Sequence, residues 1–221
     1  QLVLNIGEQA VIGGWVKGLE RVDINVTGTP GDALVSDAYF IPAYLAQAGH
    51  NSLQLDADGL IASIGNASVI NIATRNSIET RGKIDVGGSN STLNLHAGGP
   101  LIVAEGSDIR GLGANATLNL VSDDVIAINP ASSVRVGVDF VSPDPVNQPQ
   151  NLIIPVISGE NGTVNLISAG EMLLGGSVSA SGDMQLSSTA QQYDGQSYGD
   201  FRNANAYVPR YAIFNKTAYF E

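Results

Sequence analysis

The chain has 221 residues, of which 43% are hydrophobic and only 14% charged, with 26 Gly, no Cys and a formal net charge of −11. An acidic chain lacks the Lys and Arg surplus that phosphate contacts require, which argues against nucleic acid and anionic lipid as partners. Without Cys there are no disulfides and no thiolate metal sites, and no apolar run reaches the roughly 18–20 residues of a membrane helix, so no direct membrane insertion is expected.

The length suits one domain. Average soluble domains carry about 25% charged residues. Here that share passes to Gly, Ser, Asn, Thr, Val, Ile and Leu, the strand and turn formers. The first residues, Gln1-Leu2-Val3-Leu4, read as the inside of a strand, as if the chain were a piece of a larger protein with neighbouring domains. Trp15 reads as a cap residue of the first coil. Residues 29–50 break the pattern described below and read as an inserted loop. Within them Pro42-Ala43-Tyr44-Leu45-Ala46-Gln47-Ala48, followed by Gly49, predicts one short helix near 42–48, with Pro at the first turn and Gly just past the end.

From residue 51 a repeat dominates. Thr92-Leu93-Asn94-Leu95, Thr117-Leu118-Asn119-Leu120 and Thr163-Val164-Asn165-Leu166 share one pattern, with weaker echoes at Ser52-Leu53-Gln54-Leu55 and Val69-Ile70-Asn71-Ile72. The first two copies are 25 residues apart, and the third follows 46 later, room for two coils of 23. Further apolar sites recur in step at Val103, Ile128 and Leu174, and at Ile109, Val134 and Val178. Gly, Ser, Asn and Asp turns separate them. Alternate residues of a strand face opposite ways, so Leu and Val share one face and Thr and Asn the other. The pattern predicts an all-β, right-handed parallel β-helix with three-strand coils of about 20–25 residues and irregular caps, since parallel crossovers are right-handed. The helix itself is expected over 1–200, with inserted loops at 29–50 and 140–152. Residues 201–221 would be a C-terminal cap or the start of a following segment. The second loop rests on Pro143, Pro145 and Pro149.

The run Thr92-Leu93-Asn94-Leu95-His96-Ala97-Gly98-Gly99, its parallel at 163–170, the Gly106-Ser107-Asp108-Ile109 step and the Gln-x-Tyr-x-Gly joint Gln191-Gln192-Tyr193-Asp194-Gly195 within 187–195 resemble the β-helical shafts of filamentous-haemagglutinin-like large exoproteins. The resemblance covers about residues 51–200. Asn129-Pro130-Ala131 departs from the Asn-Pro-Asn-Gly signature of that family's secretion domain. The resemblance implies a secreted bacterial cell-surface segment, structural or adhesive, with no catalytic residues to carry over and a surface glycan or protein as partner.

Few residues suggest chemistry. Gly111-Leu112-Gly113-Ala114-Asn115-Ala116 fits a nucleotide fingerprint, but it runs into a strand where the phosphate site needs a helix N-terminus. Asp56 and Asp58, and Asp123 and Asp124, follow Leu-x-Leu strands. Stacked turns could gather their carboxylates for calcium, the one cofactor the pattern suggests, although Asp is also an ordinary turn former. His50 and His96 are the only histidines. The outward positions Thr92, Asn94, Thr117, Asn119, Thr163 and Asn165 carry no titratable group, which argues against an enzyme. The alternative is a polysaccharide-degrading β-helix, which would place acids and bases on one face of consecutive coils. A second alternative is a carbohydrate- or partner-binding module using Tyr193, Tyr198, Tyr207, Tyr211, Arg202 and Arg210, since aromatic faces with polar handles suit that task; a cap is the plainer reading. Asn-x-Ser/Thr triplets such as Asn90-Ser91-Thr92 recur, but Asn and Thr are abundant and no glycosylation is inferred from them.

Overall fold

The computed structural model describes residues 1–27, 52–141 and 154–188. Its strands run in coils of three. The first coil is β1 (Leu2–Ile6), β2 (Gln9–Ile12) and β3 (Trp15–Gly18). The second is β4 (Arg21–Val26), β5 (Ser52–Leu55) and β6 (Leu60–Ser63), and the third β7 (Val69–Thr74), β8 (Ile78–Thr80) and β9 (Lys83–Val86). Next come β10 (Thr92–Ala97), β11 (Leu101–Val103) and β12 (Asp108–Gly111), then β13 (Thr117–Ser122), β14 (Ile126–Ile128) and β15 (Ser133–Val136). A hairpin, β16 (Val138–Val141) and β17 (Ile154–Ile157), leaves the stack before β18 (Thr163–Ser168), β19 (Met172–Leu174) and β20 (Ser177–Ala180), and β21 (Met184–Ser188) begins the last coil.

The strands form three parallel sheets: A, in the order β1-β4-β7-β10-β13-β18-β21; B, β2-β5-β8-β11-β14-β19; and C, β3-β6-β9-β12-β15-β20. Each strand pairs with its own copy one coil away, which makes the molecule a parallel β-helix. There is no helix among the described residues. The expected helix near 42–48 and the loop 29–50 lie outside them. Of the expected loop 140–152, Phe140 and Val141 belong to β16, and the remainder lies outside the described residues.

Alternation produces this stack. Most parallel sheets are covered on both faces and read as continuous apolar runs. Here one face meets water, so the sequence alternates. Leu93, Leu118, Val164, Leu95, Leu120 and Leu166 are at most 1% exposed, and Leu93 pairs with Leu118 and Leu118 with Val164. Columns Val103–Ile128–Leu174 and Ile109–Val134–Val178 do the same in sheets B and C. Each such side chain contributes about 1.5–3 kcal/mol on burial.

The corners set the coil length. Between sheets C and A, Ala67, Asn90, Asn115 and Asn161 adopt the left-handed conformation, with φ of 52–59°. Beside them Gly113 packs so closely that a Cβ would lie 2.1 Å from the Gly88 carbonyl oxygen. The fingerprint-like run 111–116 is therefore this corner, and Ala116 is buried in the core.

The 46-residue spacing corrects the expectation of two coils. Thr117 pairs directly with Thr163, so the interval is a single coil carrying the hairpin. Its ends meet at Gly137 (φ 62°), whose carbonyl accepts the N–H groups of Ser158 and Gly159 at 2.9 and 3.2 Å. Gly137 donates to the Gly111 oxygen, as Leu112 does to Val86 one coil earlier.

Deleting residues 138–158 should join Gly137 to Gly159 and leave a 25-residue coil, the preceding period. The variant is expected to keep the β circular-dichroism spectrum and cooperative melting. By contrast Leu118→Ala should lower unfolding free energy by about 2–5 kcal/mol, read by urea titration.

Candidate functional site

The outward faces of sheets A and C carry two different polar arrays. On sheet A the period-2 pattern puts Asn in the same register of successive strands. Asn165 Nδ2 donates to Asn119 Oδ1, Asn119 to Asn94 and Asn94 to Asn71, each at 2.8 Å. Asn71 then donates to Asp23 Oδ1 at 2.7 Å. An amide both donates and accepts, and a carboxylate only accepts, so Asp23 ends the ladder. Hydrogen bonding from Arg21 holds its carboxyl below the usual range against the opposing cost of burial, helped by Asn71 and Gln1.

Sheet C carries the only extended charged network among the described residues. Asp85, Arg110 and Arg135 occupy one outward register of β9, β12 and β15, and Asp108 the register two residues earlier. Arg110 grips Asp85 with Nε and Nη2 at 2.7 and 2.6 Å, and its Nε lies 3.4 Å from Asp108. Arg135 grips Asp108 at 3.0 and 2.8 Å and reaches Asp139 of the hairpin at 2.7 Å. Ser133 donates to Asp108 as well. These fork-to-carboxylate pairs are the strong form of the charged hydrogen bond. Beside Arg135, Ser179 Oγ is buried with no hydrogen-bond partner among the described residues.

The six outward positions Thr92, Asn94, Thr117, Asn119, Thr163 and Asn165 carry no titratable group, as expected, but other outward positions do. Among them are Asp85, Asp108, Arg110 and Arg135 of sheet C. Arg110 Nε lies 2.7 Å from Asp85 and 3.4 Å from Asp108, so the two carboxylates are neighbours on this face, and glycoside hydrolysis uses a pair of carboxylates. Such chemistry also needs one carboxyl that keeps its proton near neutrality. Burial alone would raise the Asp108 carboxyl, but hydrogen bonds from Arg135 and Ser133, with the charges of Arg135 and Arg110, hold it below the ordinary value. The Arg110 and Arg135 guanidinium groups are correspondingly held above theirs, chiefly by hydrogen bonds to Asp85 and Asp108. Asp108 is thus shifted in the direction opposite to a carboxyl that keeps its proton near neutrality.

The calcium candidates do not meet. Asp56 and Asp58 lie in the turn after β5, between sheets B and C, and Asp123 and Asp124 in the turn after β13, between sheets A and B. Asp56 accepts from Gln54 at 2.8 Å, and Asp123 lies 3.2 Å from His96 Nε2. Among the described residues no group of three or more His, Cys, Asp or Glu is placed to hold a metal ion. Tyr193, Tyr198, Tyr207, Tyr211, Arg202 and Arg210 lie outside the described residues, as does His50. Trp15 is on the outer face of β3, 74% exposed, with Lys17 Nζ 4.1 Å from its ring centroid. An open notch of about 220 Å³ between Pro130 and Leu173 falls below the roughly 300–1,000 Å³ of ligand pockets.

No family model, no curated protein and no solved structure matches the chain.

The charged network predicts acid lability. A depressed carboxyl contributes stability that is present above its unfolded value of about 3.9 and is lost as pH falls through the lower folded value. The Tm should fall below about pH 4, and Asp108→Asn should flatten that acid limb. At pH 7, Asp108→Ala should cost about 1.5–3 kcal/mol, because it leaves two partly buried guanidinium groups short of a partner.

Proposed function

We propose that the chain is a non-catalytic shaft segment of a secreted bacterial surface protein, a stiff rod that spaces or presents adhesive elements. The observation that carries this reading is that, among the described residues, the asparagine ladder of sheet A and the charged network of sheet C are bonded within the stack. Amide ladders and charge pairs run from coil to coil along the stack, where a catalytic cleft would aim them at a substrate. Backbone pairing and aliphatic columns run the same way, so bending the rod strains all of them together. The filamentous-haemagglutinin-like pattern at 92–99 and 163–170 agrees with this reading and suggests the cell surface as its location. The partner would be a surface glycan or protein, met by projecting elements such as the hairpin.

One observation favours a second reading. Asp85, Asp108, Arg110 and Arg135 stand on one face of consecutive coils, as a polysaccharide-degrading β-helix would place them. The chain should release neither unsaturated uronates nor reducing ends from a panel of acidic and neutral polysaccharides. Turnover abolished by Asp85→Asn or Asp108→Asn would replace the shaft with an enzyme.

A further inference from the structure

Five Asn-x-Ser/Thr triplets lie wholly in the described residues, starting at Asn25, Asn66, Asn90, Asn115 and Asn161. Asn25 is inside β4. The other four share the corner between sheets C and A on successive coils, and all four Asn side chains are exposed. For Asn90, Asn115 and Asn161 part of this alignment is structural, because the left-handed turn favours Asn and a strand starts two residues later, whereas Asn66 stands one residue before the left-handed Ala67. The turn does not require Asn, however, since Ala67 adopts the same conformation with φ of 52°.

The triplets differ in what their atoms are doing. Asn161 Nδ2 donates to Asn115 Oδ1 at 3.3 Å, Asn115 Nδ2 donates to Asn90 Oδ1 at 3.0 Å, and Asn25 Nδ2 donates to Asn5 at 3.0 Å. These three nitrogens are engaged. Asn66 accepts the Ser89 N–H at 3.0 Å and leaves its own nitrogen open, but its hydroxyl residue Ser68 is fully buried and bonded to Gly87. Asn90 alone combines the two requirements. It ends the corner ladder with its oxygen engaged and its Nδ2 open to solvent, and Thr92 is half-buried at the strand start.

We propose that Asn90 is an acceptor for asparagine-directed sugar transfer from an activated sugar phosphate, and that the corner ladder protects Asn115 and Asn161 behind it. In that transfer Nδ2 attacks the anomeric carbon. A C–N bond forms as the C–O bond to phosphate breaks, and one amide proton is lost to a base of the transferase. The inference is independent of the shaft reading, because any protein built on these coils presents the same corner.

The test treats the folded chain with a transferase specific for Asn-x-Ser/Thr. One arm supplies a nucleotide-linked sugar and another a lipid-linked oligosaccharide, and peptide mass spectrometry follows initial rates. Asn90 should be labelled about fivefold or more faster than Asn115 or Asn161, the factor one exposed amide hydrogen bond is worth. In urea the sites should react alike. Asn90→Ala, which the turn tolerates as it does Ala67, frees Asn115 Nδ2 and should move labelling to Asn115. Equal rates on the folded chain, labelling of the unfolded chain alone, or a variant that leaves Asn115 unreactive would overturn the proposal. So would a bare-polypeptide mass for the chain isolated from the cells that make it.

Discussion

Register between successive coils is the constraint on which everything else depends. A parallel strand pair shifted by one residue turns every side chain to the opposite face. Here that slip would drive Asn94 and Asn119 into the core and push Leu93 and Leu118 into water. The aliphatic columns therefore fix the register, and the register in turn aligns the asparagine ladder, the charged network and the corner turns. These outer arrays follow from the core, and they add specificity because an amide or guanidinium out of step loses its partner.

The two outer faces handle polarity in different ways. Sheet A uses neutral amides, which donate on one side and accept on the other and so extend from coil to coil without accumulating charge. Sheet C pairs Arg with Asp across neighbouring strands. Such pairs repay their desolvation only with good geometry, which the bidentate contacts of Arg110 and Arg135 provide. Arg135 also reaches Asp139, so the network holds the base of the hairpin against the rod. This departure from regularity is fastened to the most strongly bonded part of the outer surface among the described residues.

The bonding of these arrays bears on acid–base chemistry more directly than residue content does. Asp85 and Asp108 are neighbours, but both are gripped by guanidinium groups and Asp108 is pushed further from neutrality. Paired carboxylates of equal spacing do acid–base chemistry only when their surroundings drive their proton affinities apart.

The sequence by itself determined the core. The Thr-Leu-Asn-Leu copies, the step to Val103, Ile128 and Leu174, and the step to Ile109, Val134 and Val178 are local two-residue alternations repeated at nearly constant spacing. Such a pattern has one efficient way to bury its apolar face. Only the tertiary structure decided what depends on neighbours remote in sequence. The interval from Thr117 to Thr163 looks like two coils because its length suits two, and hydrogen bonding between Gly137 and Gly159 shows it to be one coil with a hairpin. The charged network was hidden because Asp85, Asp108, Arg110 and Arg135 form no sequence motif and meet only when three coils are stacked. The acidic pairs at 56–58 and 123–124 look alike in sequence but turn different corners. Which asparagine keeps a free nitrogen is likewise a property of the direction in which the ladder runs, and no single triplet carries it.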